Sequence, residues 1–162
     1  FGDTEQHTNF FFTSLMFVGG ASASVAGGIK VNTVAVILVA VLSTLRGSPR
    51  ATAFGREIPL DQVRRAMTLG AVATALVFLV ALTLTFAERE FPFIDLLFES
   101  VSAFGTVGLS TGLTPDLSRW GHFILIFSMF LGRIGPLTLG LAMVQRSQGD
   151  LYRYAQERVT IG

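Results

Sequence analysis

The sequence predicts an all-α membrane protein in which full-length spans alternate with short helices that enter the bilayer and stop halfway. Three observations predict it. Hydrophobic residues form 51% of the chain and charged residues only 14%, against roughly 25% charged in an average soluble domain. The charges are also segregated, with none from Ala66 to Ala87 and one, Arg133, from Gly121 to Gln145. Finally, two uncharged stretches end in glycine-punctuated runs, Val25-Ala26-Gly27-Gly28-Ile29 and Thr106-Val107-Gly108-Leu109-Ser110.

Each element follows from local composition. The opening Phe1-Gly2-Asp3-Thr4-Glu5 lacks both a methionine and a positive n-region, so it reads as a chain entered part-way rather than a signal peptide. His7 to Ile29 is uncharged, but glycines and serines interrupt it from Gly19 onward. His7 to Gly19 therefore suits a half-length helix. Val31 to Leu45 is short for a span unless Gly28, Ile29 and Lys30 form its polar entry. Arg46 to Arg65 sets Arg46, Arg50, Arg56, Arg64 and Arg65 against Glu57 and Asp61, which marks it as the cytoplasmic link under the positive-inside rule. Ala66 to Ala87 and Gly121 to Gln145 have the length of spans. Between them, Glu88 to Pro92 and Thr114 to Trp120 are external, with Trp120 at headgroup level. Phe93 to Ala103 is too short to cross and suits a re-entrant helix. The tail, Arg146 to Gly162, returns to the cytoplasm with Arg146, Arg153 and Arg158.

An offset of 81 residues places Val25-Ala26-Gly27 on Thr106-Val107-Gly108, Leu15 on Leu96 and Phe17 on Phe98. The chain thus reads as one and a half copies of a span, pore-loop, span unit, both running in the same direction. Non-helical backbone at membrane depth is tolerated only where it lines a cavity. Thr106-Val107-Gly108 has the Thr-Val-Gly core of a potassium-channel filter, in which backbone carbonyls replace the water shell of a permeating cation. Glycine is the demanding position, because a residue without Cβ most easily adopts the left-handed angles that turn successive carbonyls one way. Val25, Ala26, Gly27, Thr106, Val107 and Gly108 are therefore the candidate potassium ligands, through their carbonyls. A Cβ at Gly108 should crowd that ring.

The chain resembles the Trk/Ktr/HKT superfamily of potassium transporters, and within it the Ktr-type membrane subunit. The resemblance is carried by Met16-Phe17-Val18-Gly19-Gly20 with Ser24-Val25-Ala26-Gly27-Gly28-Ile29-Lys30, by Phe98-Glu99-Ser100-Val101-Ser102-Ala103-Phe104-Gly105-Thr106-Val107-Gly108, and by Gly132-Arg133-Ile134-Gly135-Pro136. It implies a potassium-channel-like fold with four span, pore-loop, span repeats around one pore. Residues 1–46 would be the pore loop and second span of repeat three, 47–65 the cytoplasmic link, 66–146 repeat four, and 147–162 the cytoplasmic tail. It also implies potassium uptake at the cell membrane, a homodimer of membrane subunits, lipid contact, and a cytosolic nucleotide- and NAD-binding regulatory ring of RCK type docked on the link and tail. Two departures stand out. Val25 occupies a position where the family usually has threonine, and Val34 to Leu45 contains no glycine where Ktr-type proteins break the helix into a gate loop.

Arg133 is the sharpest single residue. A charge in mid-span normally faces a partner or a water-filled cavity; by resemblance it lies just below the filter as a gate, and its structural alternative is an ion pair or an anchor to carbonyls freed by Pro136. Lys30 is expected to snorkel or to pair with a pore-helix carboxylate. Gly19-Gly20 reads as a helix-packing pair. Asp95 and Glu99 lie a turn apart without a nearby nucleophile, so they read as ties from the pore helix to its neighbours. Thr111 and Gly112 read as a turn. His7 and His122 lack metal-ligand spacing, and no P-loop, Rossmann or nucleophile-elbow motif is present. The chain is thus not read as an enzyme, it calls for no cofactor, and its net charge of +1 gives no reason to expect nucleic acid. A secondary transporter with broken helices and a non-conducting membrane association fragment are the alternatives.

Overall fold

In the computed structural model the described residues are 6–21, 24, 26–48 and 50–145, with side chains described as far as Ile134. Val25 and the tail from Arg146 onward lie outside them, as do the side chains of the Pro136 region. Among the described residues five α-helices follow one another: α1 Gln6–Phe17, α2 Val31–Leu45, α3 Leu60–Ala87, α4 Phe93–Gly105 and α5 Arg119–Gln145. The two short ones, α1 and α4, stand where half-length helices are expected.

Proline and glycine set the boundaries. Pro59 and Pro92 precede α3 and α4 as N-caps, the place where a missing N–H leaves no intrahelical bond unmade. α3 starts at Leu60, so Asp61, Arg64 and Arg65, read from their charge as part of the link, form its first turns. Asp61 suits that place because a carboxylate is favoured at the positive end of the helix dipole. The rest of the link holds a small hairpin that the all-helical reading does not contain. In it, β1 Thr52–Ala53 pairs antiparallel with β2 Arg56–Glu57. Phe54 and Gly55 form its turn with φ of 51° and 74°, the paired positive angles that fit the right-handed twist of a two-residue hairpin. Arg50 and Glu57 pair beside it at 3.3 Å.

α4 is the hub. From Phe98 to Gly105 every residue is buried, because α1, α3 and α5 all pack around it. Phe98, Val101 and Phe104 share one cluster with Met16, Ile29, Ala73 and Val77, while Leu96 and Ala103 join Leu84, Leu117 and Leu125 on the other side. Phe98 and Phe104 are fully buried, and among membrane helices it is such close van der Waals packing, more than transfer from water, that fixes α4 against its neighbours. At one end, the buried Glu88 accepts the Ser118 amide at 2.8 Å, placing a carboxylate at the N-terminus of α5, where the dipole favours it. Farther along, a Cβ on Gly132 of α5 would overlap the Phe104 carbonyl, so only glycine lets α5 lie this close to the end of α4.

Among the described residues α3 is the helix both long and apolar enough to cross a bilayer. α5 has 27 residues. α2 has 15 and runs unbroken, so the helix break expected of a Ktr-type gate loop is not found between Val31 and Leu45.

Candidate functional site

The two glycine runs meet behind α4. Gly27 is buried, and a Cβ placed on it would lie 2.8 Å from the Phe104 carbonyl oxygen and 2.9 Å from Thr106 Oγ1. The same proximity lets the Gly27 amide donate to Thr106 Oγ1 at 3.0 Å. Thr106 supplies that oxygen from an unusual conformation. It caps α4 in the left-handed region, with φ 51° and ψ 38°, so the chain leaves the helix axis at once and runs back as a loop. Gly28 and Gly108 are also left-handed, with φ of 75° and 85°, angles that side chains with a Cβ rarely adopt.

The expected crowding at Gly108 is not found among the described residues. Nothing lies within 4 Å of a Cβ built there, so its positive φ is what calls for glycine, and Val107 and Gly108 face open space. Gly27 is the crowded member of the pair.

The first loop is a closed return. The Gly19 amide donates to the Ile29 carbonyl at 2.7 Å and the Val31 amide to the Gly20 carbonyl at 3.3 Å, with Val18 bridged to Ile29. Gly19 and Gly20 do not pack helices together; α1 has already ended, and a Cβ on Gly19 would overlap the Gly27 carbonyl. Lys30 then folds back over the loop, donating from Nζ to the Ala26 carbonyl at 2.6 Å and the Ser24 carbonyl at 2.9 Å. Among the described residues it meets no carboxylate, and in place of the expected snorkelling or ion pair its half-buried side chain turns back to carbonyl oxygens four and six residues earlier.

A carboxylate holds the second loop. Glu99 is 4% exposed and accepts from the Thr111 amide at 3.0 Å and from the hydroxyls of Ser110, Thr111 and Thr114. Ser102, one turn on, donates to the Leu109 carbonyl. Glu99 thus ties α4 to the loop that follows the glycine run, and Thr111 and Gly112, the latter with φ 99°, form the turn it grips. The Glu99 tie was legible as a role, but its partners were not, because hydroxyls 11 to 15 residues away carry no periodic signal.

Arg133 follows the glycine that abuts Phe104. Its side chain is exposed, and among the described residues no carboxylate pairs with it. No set of three His, Cys, Asp or Glu residues able to bind a metal occurs among the described residues.

A model of the TrkH family, described as cation transport protein, matches residues 1–154. The chain belongs to the TrkH family. Membership makes it part of a membrane protein in the Trk/Ktr superfamily, and Ktr-type relatives match it throughout. It is 41% identical over 162 residues to Ktr system potassium uptake protein B of Bacillus subtilis (strain 168), covering all of this chain and 36% of the relative. Against the protein of the same name from Vibrio alginolyticus it is 39% identical over 152 residues, 91% of this chain and 32% of the relative. The potassium/sodium uptake protein NtpJ of Enterococcus hirae is 37% identical over 154 residues, 91% of this chain and 34% of that relative. The chain thus spans about a third of the length of the curated relatives it matches.

Proposed function

We propose that this chain supplies two pore loops of a potassium uptake protein. In this reading a cation sheds water onto the backbone carbonyls of Val25 to Gly27 and Thr106 to Gly108, as carbonyl rings do in selectivity filters. The observation that carries the reading is the bond between the Gly27 amide and Thr106 Oγ1, which joins two runs of matching pattern edge to edge, as neighbouring walls of one passage would be. The uptake of potassium named for the relatives supports the choice of ion. The C-terminal end of α4 points its negative dipole toward the second loop, which favours a cation there.

Arg133 acts as the gate. It stands one residue beyond the contact of Gly132 with Phe104, hence just past the loops on the inward side, where its charge raises the barrier to a cation. The remaining pore loops come from the rest of a longer protein, which assembles as a homodimer in the cell membrane. A cytosolic nucleotide- and NAD-binding ring docks on the link and tail.

The test is uptake kinetics in the full-length protein carrying Gly27→Ser or Gly108→Ser. Weaker potassium affinity and poorer discrimination against sodium are expected of both. Unchanged kinetics for both ions in both variants would remove these glycines from the cation path.

A further inference from the structure

Lys30 makes the two loops chemically unequal. Its ammonium touches the Ala26 carbonyl at 2.6 Å and the Ser24 carbonyl at 2.9 Å, and among the described residues no carboxylate balances its charge. Among the described residues it is a cation held by backbone oxygens, which is the kind of coordination a filter offers a potassium ion. The 81-residue offset places Ala26 on Val107, and among the described residues no donor reaches the Val107 carbonyl. The counterpart oxygen is thus taken in one loop and open in the other.

We propose that Lys30 is a resident cation of the first loop and a specificity-determining residue of the uptake protein. Its ammonium withdraws the Ser24 and Ala26 carbonyls from transported ions and repels a second cation at that level. The inference rests on the filter reading above and narrows it, because Ala26 then ligates the lysine in place of potassium. The geometry suits the role. Lys30 lies in extended conformation, φ −65° and ψ 144°, at the start of α2, so its backbone is fixed by the helix while its stem bends back over the loop. Charge-assisted bonds of this type are roughly twice as strong as neutral ones, which keeps the ammonium in place against a passing ion.

Equilibrium binding of rubidium, a potassium surrogate, to purified full-length protein tests this by sign. Lys30→Met removes the charge and opens two carbonyls, so it binds rubidium about tenfold more tightly, the effect of losing a like charge screened by water and neighbours. Lys30→Arg keeps the charge and stays at wild-type affinity. A lysine that merely braces the loop predicts the reverse, and weaker or unchanged binding by Lys30→Met overturns the proposal. Lys30→Gln keeps a donor for the loop while losing the charge, and applies the same sign test should the methionine variant not insert. Gly27→Ser in the same assay separates the two readings. If it too leaves binding unchanged, the filter reading has failed; if it weakens binding while Lys30→Met is flat, only the role of Lys30 has failed.

Discussion

The Gly27 amide and Thr106 Oγ1, 79 residues apart in sequence, are joined by a 3.0 Å hydrogen bond. The bond exists because each partner is locally constrained. Gly27 has no side chain to hold the Phe104 carbonyl away, and Thr106 turns left-handed at the end of α4 so that its hydroxyl faces sideways. The bond links a first loop closed by its own backbone bonds to a second that Glu99 and Ser102 tie to α4.

That bond gives the first prediction. Thr106→Val keeps the shape of the side chain and removes the acceptor, leaving a buried amide unsatisfied at a cost of about 1–3 kcal/mol. The variant should melt at lower temperature in detergent and bind potassium less tightly, while Thr106→Ser, which keeps the hydroxyl, stays near wild type. Equal melting of the valine variant and wild type would mean that the loops do not lean on each other.

How far was this arrangement legible in the sequence? α2, α4 and the apolar body of α3 stand out because charge or proline bounds each run, as Lys30, Arg46 and Pro92 do. The start of α3 was not legible from charge, since a helix that emerges from a membrane keeps its geometry while its composition turns polar; Pro59 was the better signal. The hairpin at Phe54 was hidden because phenylalanine is a poor turn residue, and only Gly55 hints at the positive φ. Gly27 and Gly108 were legible as special positions, but for different reasons than their pattern suggests, one needing space and the other a backbone angle. Lys30 escaped because its partners are carbonyls of an irregular loop, which no side-chain pattern encodes.

Orientation yields a second prediction. With the link cytoplasmic and the start of α5 external, a single cysteine at Ser48 in intact cells should resist impermeant thiol reagents, whereas one at the exposed Ser118 should react. The reverse labelling would overturn the topology, and with it the side from which cations enter the loops.

A third concerns Arg133. Two unit charges 4 Å apart at an effective dielectric of 20 repel by about 4 kcal/mol, enough to slow crossing by roughly three orders of magnitude before ions and water screen it. Arg133→Ala in the full-length protein should therefore raise maximal potassium flux or loosen its dependence on regulatory partners. Flux equal to or below wild type in a well-expressed variant would remove the gate from α5. It would also leave α2 as a doubtful substitute, because that helix is unbroken.

In the proposed function the two glycine runs face one cation path. The most direct measurement is an anomalous-difference map of the full-length protein crystallised with rubidium. The account predicts a peak within direct coordination distance of loop carbonyls from both Gly27 and Gly108, or from their immediate neighbours. Well-ordered loops with rubidium sites elsewhere, and none shared by these two runs, would contradict it.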